Sequence, residues 1–94
     1  VLDKETARRM VEQEIRALKI NPELDLIIFD EHTLETDIGW VFFWNSRQYI
    51  EQGDYRYALA GNGPFLVDRC DGSIHQFPTA YPTEENLERY RQSH

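Results

Sequence analysis

Gly39-Trp40-Val41-Phe42-Phe43-Trp44 is a run of six residues with no charge and no proline. Apart from the glycine, every member is β-branched or aromatic, the residue types that suit a pleated, packed surface. Apolar side chains fall on both parities of the run. A strand of that kind has no solvent face, so it is expected at the centre of a sheet, covered by a helix on at least one side.

The segments on either side of this strand supply its neighbours. Leu24 to Phe29 is a second apolar run, with Leu24, Leu26 and Ile28 on one parity and Ile27 and Phe29 on the other. It turns polar from Asp30 to Thr36. That reads either as one long strand leaving the core or as a hairpin turning near Asp30-Glu31. Downstream, Arg47 to Ala60 is anchored by Tyr49, Ile50, Tyr57 and Leu59 and broken by Gly53. A short helical turn is expected before Gly53, and an ordered loop or second turn after it. Gly61-Asn62-Gly63-Pro64 is a breaker cluster, read as a tight turn whose glycines take positive φ. Phe65-Leu66-Val67 and Ser73 to Phe77 flank Asp71-Gly72, a dipeptide that signals a hairpin between two β-like runs.

Both ends read as helices. Asp3 is an N-cap, followed by Ala7, Met10, Val11, Ile15 and Leu18 at helical spacing. Glu12 and Arg16 stand four apart and suit an ion pair. Asn21-Pro22 should end that helix. Pro82-Thr83-Glu84-Glu85 opens a last helix, with proline in the first turn and acids at the positive end of the dipole. Leu87 and Tyr90 would dock it. The fold class is therefore α+β. A small antiparallel sheet of three to five strands packs against an N-terminal helix and a short C-terminal helix, with the helices expected on one face. With 94 residues the chain is one domain, 1–94.

Charge and cysteine content exclude several partners. Seventeen acidic residues oppose ten basic ones, a net charge of −7. Nucleic acid as the main partner needs a basic surface, and so does an anionic membrane. The single cysteine, Cys70, rules out an internal disulfide framework and a two-cysteine metal site. A cytoplasmic address is expected. No apolar run reaches membrane-spanning length and no signal-peptide core is present. The chain begins with Val1 instead of Met, consistent with native residues preceding it.

Catalytic patterns do not emerge. Asp68, Asp71 and His75 fall close together, but the hairpin accounts for them, and they lack the ligand order of a calcium loop. For Cys70 the one base a hairpin could bring near is His75, which is true of many hairpins and makes no nucleophile by itself. Ser46 and Ser73 lack a nucleophile-elbow context. His32 sits in a polar, acidic segment and reads as solvated. Gly61-Asn62-Gly63-Pro64 precedes a strand and no lysine, which disqualifies it as a phosphate cradle. No catalytic residue, cofactor or metal ligand is assigned, and the chain is not expected to be an enzyme.

Two features exceed background. From Glu23 to Asp37 there are six acids, Glu23, Asp25, Asp30, Glu31, Glu35 and Asp37, and no Lys or Arg. They form either a solvated edge protected by charge or a docking face for a cationic protein. Tyrosine is the second surplus. Five tyrosines cannot all be deeply buried in so small a domain, and Tyr55 and Tyr57 stand out as interface candidates.

Gly39-Trp40-Val41-Phe42-Phe43-Trp44, Tyr49-Ile50-Glu51-Gln52-Gly53-Asp54 and Leu59-Ala60-Gly61-Asn62-Gly63-Pro64-Phe65-Leu66-Val67-Asp68 together resemble the immunity protein 35 family, also called the YrhB-like family. Gly72, Ile74, Thr79-Ala80 and Tyr81-Pro82 continue the resemblance. It covers about Ile38 to Tyr90, and Ala-Gly-Asn-Gly-Pro followed by a strand ending in Asp is its most specific part. The resemblance implies a small, non-enzymatic cytoplasmic antidote of a bacterial polymorphic toxin system, encoded beside the toxin it neutralises. The partner it implies is a cognate toxin or effector domain, with a basic active-site cleft if the toxin is a nuclease. The acidic segment lies outside the best-matching run, where partner specificity is expected, so Glu31, Glu35 and Asp37 become charge contacts and Tyr55 and Tyr57 anchors. The alternative is a small intracellular protein-binding or chaperone-like module without a dedicated toxin.

Overall fold

The computed structural model describes residues 2–18 and 23–93. Asn21-Pro22, expected to end the first helix, lies outside the described residues. Helix α1 (Lys4–Leu18) starts where expected, because Asp3 Oδ1 accepts the Thr6 amide at 2.8 Å and so satisfies an orphan N–H of the first turn. That bond, the main cause, holds the Asp3 carboxyl below its ordinary value. Within α1, Glu12 pairs with Arg8, four residues back, instead of Arg16; Arg8 also reaches Asp30.

Strands β1 (Leu26–Ile28) and β2 (Leu34–Glu35) are separated by a 3₁₀ turn at Asp30–His32. They do not pair with each other. Both run antiparallel to one ribbon, made of β3 (Gly39–Phe42) and β4 (Trp44–Ser46) and interrupted only at Phe43. β1 pairs with β4, and β2 pairs with β3. Between the two ladders the register slips by three residues, the length of the 3₁₀ turn. The first of the two sequence readings is therefore closer: one strand that leaves the core, with a turn inserted in it.

Helix α2 (Arg47–Gln52) follows without a gap and ends at Gly53, whose φ of 68° supplies the left-handed C-cap. A second 3₁₀ turn spans Tyr55–Tyr57. Then come β5 (Phe65–Asp68), β6 (Ile74–Gln76) and helix α3 (Thr83–Ser93). The larger sheet has the order β2-β3-β5-β6, all antiparallel, so β3 is central as its sequence requires.

Strand alternation divides the core in two. Trp40, Phe42, Phe65 and Val67 point to one face with Trp44 and Ile28, where Ala7, Val11 and Ile15 of α1 cover them. Val41 and Leu66 point to the other, where Phe77 and Leu87 and Tyr90 of α3 cover them. The helices thus lie on opposite faces, not on one. The reason is visible in β3 and β5, which are apolar on both parities and need two covers.

Candidate partner-binding surface

The acidic segment is less free than its composition implies. Arg8 of α1 binds Asp30 through Nε and Nη2, at 2.7 and 3.0 Å. Arg47 at the start of α2 binds Asp25 at 2.6 Å. Arg69, after β5, reaches Glu35 at 3.3 Å and donates to the Thr36 carbonyl at 2.7 Å. Arg91 of α3 binds Asp37. Each pair fixes a charge without burying it, so each adds little to stability. Their joint effect is to neutralise most of the segment and to tie it to four other elements. The Arg91 hydrogen bond is the main reason the Asp37 carboxyl lies below its ordinary value. Glu31 has no ion pair or side-chain hydrogen bond among the described residues.

The tyrosine turn is built from β4. Buried Ser46 caps α2 by accepting the Tyr49 amide at 3.1 Å, and its hydroxyl donates to the Tyr57 carbonyl at 2.7 Å. Asn45 Oδ1 accepts the Leu59 amide at 2.9 Å. Asp54 caps the turn through the Arg56 amide and also holds the Arg56 guanidinium, which pulls its carboxyl below the ordinary value. On this fixed base Tyr55 is 81% exposed, touching the Tyr49 ring at 5.5 Å, while Tyr57 is 39% exposed.

Between these two regions runs an open groove of about 500 Å³. Phe29, His32 and Leu34, Phe43, Trp44 and Asn45, Tyr49, Asn62, and Thr83 and Glu84 of α3 line it. His32 packs edge-on against Phe29 with ring centres 4.1 Å apart. The five residues singled out by sequence are not groove lining. Glu31 and Glu35 are sequence neighbours of the lining residues His32 and Leu34, and the Tyr55 ring packs on that of Tyr49. Glu35 opposes Trp40 in the ladder and so projects to the α1 face, whereas Leu34 opposes Val41 and projects to the α3 face. Sequence reasoning missed this groove, because Phe43 looked like core and Leu34 was an isolated apolar residue in a polar run.

A polar network on the same face was also unforeseen. Tyr90 donates to Asp68 Oδ2 at 2.6 Å, and Ser73 donates to Asp71 Oδ1 at 2.7 Å. The Ser73 bond is the main cause holding the Asp71 carboxyl below its ordinary value. His75 Nε2 lies 2.8 Å from Ser73 Oγ and 3.2 Å from the Tyr90 oxygen. His75 Nε2 thus stands between the two hydroxyl groups, each of which also reaches a carboxylate. The arrangement fastens α3 to the β5–β6 hairpin. Exposed Cys70 gives its amide to Asp68 Oδ1 at 2.8 Å, part of the hairpin geometry. Among the described residues no group of three His, Cys, Asp or Glu could hold a metal ion, and no helix is long and apolar enough to cross a membrane.

Comparison with known proteins adds a family. A protein of Escherichia coli (strain K12) named YrhB, described as uncharacterized, is 46% identical over 52 residues, which cover 55% of each chain. The chain thus spans about half the length of this curated relative. No solved structure matches. The sequence profile for immunity protein 35 matches residues 5–93, from the first turn of α1 to the end of α3. A match that takes in all three helices and every strand between them is a match of the whole fold, and the chain belongs to the immunity protein 35 family.

Proposed function

We propose that this protein binds a cognate bacterial toxin domain in the cytoplasm and neutralises it by covering its active site. Family membership supports the class of function. The observation that carries the binding surface is Tyr55, a ring 81% exposed on a turn fixed by Ser46, Asn45 and Asp54. A large side chain presented on a rigid base loses little entropy when a partner covers it. In this reading Tyr55 and Tyr57 are the anchors, and Glu31, Glu35 and Asp37 supply charge contacts. Glu31 ranks first among the acids, since Glu35 and Asp37 already face Arg69 and Arg91. Complementary charge would speed encounter, and covered tyrosines would slow release. No catalytic step is assigned to the chain.

The test is co-expression with the product of the adjacent reading frame. That product should be lethal alone and harmless with this protein present. A harmless product, or one still lethal beside this protein, overturns the reading. Broad, weak binding to many unfolded proteins would favour a chaperone-like module instead. A narrower check is Glu31→Lys combined with Glu35→Lys. Unchanged association rate and salt dependence would remove the acidic segment from the interface.

A further inference from the structure

The groove between the acidic segment and the tyrosine turn has its own chemistry. Its lining contains rings from Phe29, His32, Phe43, Trp44 and Tyr49, one carboxylate, Glu84, and no Lys or Arg. The pairing pattern makes Glu84 unusual. In α3, Glu85 pairs with Arg89 and Glu88 with Arg91. Glu84 has no side-chain partner among the described residues, and neither has Glu31, next in sequence to the lining residue His32. Glu14 on α1 is the other acid in that condition, and it does not line the groove. Most other carboxylates in the described residues hold an arginine, a hydroxyl or an amide. Glu84 thus has the N-terminal end of α3 but no cationic side chain beside it, and it lies where aromatic surface is open.

Resting on the proposed toxin-binding function, we propose that this groove receives the tip of a toxin loop carrying an arginine or lysine. The aliphatic stem of that residue packs on Phe43 and Tyr49, and its cation sits at Glu84 within reach of the aromatic faces. Aromatic faces and a carboxylate both attract a cation, and each gains strength as water leaves. A long basic side chain also matches an apolar floor with a charged rim, because its stem and its head have those two characters.

The experiment uses the full chain and the toxin domain from the adjacent reading frame. Affinity is measured for Glu84→Lys, Tyr49→Leu and the control Glu14→Lys, with cooperative thermal unfolding checked for each. The groove variants should weaken binding by about 30-fold or more, the range of an interface hot spot, and the control by less than about twofold. A photo-crosslinking residue in Tyr49→p-benzoylphenylalanine should join a toxin peptide that contains Arg or Lys. If the wild type binds and protects while the groove variants match it, the groove is overturned and the proposed function stands. A crosslinked peptide without a basic residue overturns the occupant. A dimer in sedimentation that Glu84→Lys dissolves assigns the groove to a second copy, which also overturns the inference. A wild type that neither binds nor protects overturns the proposed function itself.

Discussion

The indole N–H of Trp44 donates to the carbonyl oxygen of Gly63 at 2.9 Å, and the Asn62 side-chain amide returns a bond to the Trp44 carbonyl at 2.6 Å. The Gly-Asn-Gly-Pro turn is thus locked to the end of the central ribbon by a reciprocal pair. Asn62→Ala should cost about 1–2 kcal/mol, because it leaves the Trp44 carbonyl without that donor. Urea denaturation measures it, and an unchanged midpoint would show the lock to be idle.

The two glycines of that turn serve different ends. Gly61 has φ of 75° with open space around a would-be Cβ, whereas a Cβ on Gly63 would stand 1.8 Å from the Phe77 carbonyl oxygen. Only the first uses the positive φ expected of both. Gly61→Ala should cost about 1–2 kcal/mol, the left-handed penalty. Gly63→Ala should exceed about 4 kcal/mol, since backbone must move. The same denaturation series checks the order of the two.

Tyr90 predicts an alkaline signature. Burial, then the bond to Asp68, pushes its phenol from 10.0 up to about 12. The fold favours the neutral phenol, so its contribution is complete below pH 10 and is lost as pH rises through 12. Tyr90→Phe should be less stable near neutrality by about 1–3 kcal/mol, and that deficit should shrink across the alkaline window. Stability curves of the two proteins against pH test it.

Asp37 predicts an acid signature of the opposite sign. Its carboxyl is held below 3.8 chiefly by the Arg91 hydrogen bond. A depressed carboxylate contributes above its unfolded value, and that contribution disappears as pH falls through the folded value. Arg91→Ala should return the Asp37 carboxyl to the ordinary range in an NMR titration. An unmoved resonance would show that the pair does not form in solution.

Tyr55 separates binding from folding. Tyr55→Ala removes one ring contact and should change stability by less than about 1 kcal/mol. Toxin affinity should nevertheless fall by about tenfold or more. Loss of stability without loss of affinity would remove Tyr55 from the interface.

Much of the architecture is legible in local pattern. The both-face apolarity of Gly39 to Trp44 predicts a central strand, Asp71-Gly72 a hairpin, and Asp3 and Pro82 two helix starts. The same apolarity also implies two covers, and expecting both helices on one face overlooks that. What local pattern cannot carry is pairing across distance. Arg8–Asp30 and Arg47–Asp25 are each 22 residues apart, Arg69–Glu35 is 34 and Arg91–Asp37 is 54. An acid run looks free until the fold brings its arginines to it. The groove was hidden for the same reason, as its walls come from five separate stretches of chain.

Those long-distance arginine pairs bear on how such a protein changes allegiance. Reversing charge at Asp25, Asp30, Glu35 or Asp37 sets a cation against an arginine of another element, a repulsion that a second substitution tens of residues away would relieve, although Arg8, Arg47 and Arg91 each keep a second acid in Glu12, Glu51 and Glu88. Among the described residues Glu31 and Glu84 answer to no internal arginine. In the proposed interface a single codon change at either would alter recognition without breaking an internal ion pair, and libraries built to evolve new specificities should be richest in folded variants at these two positions.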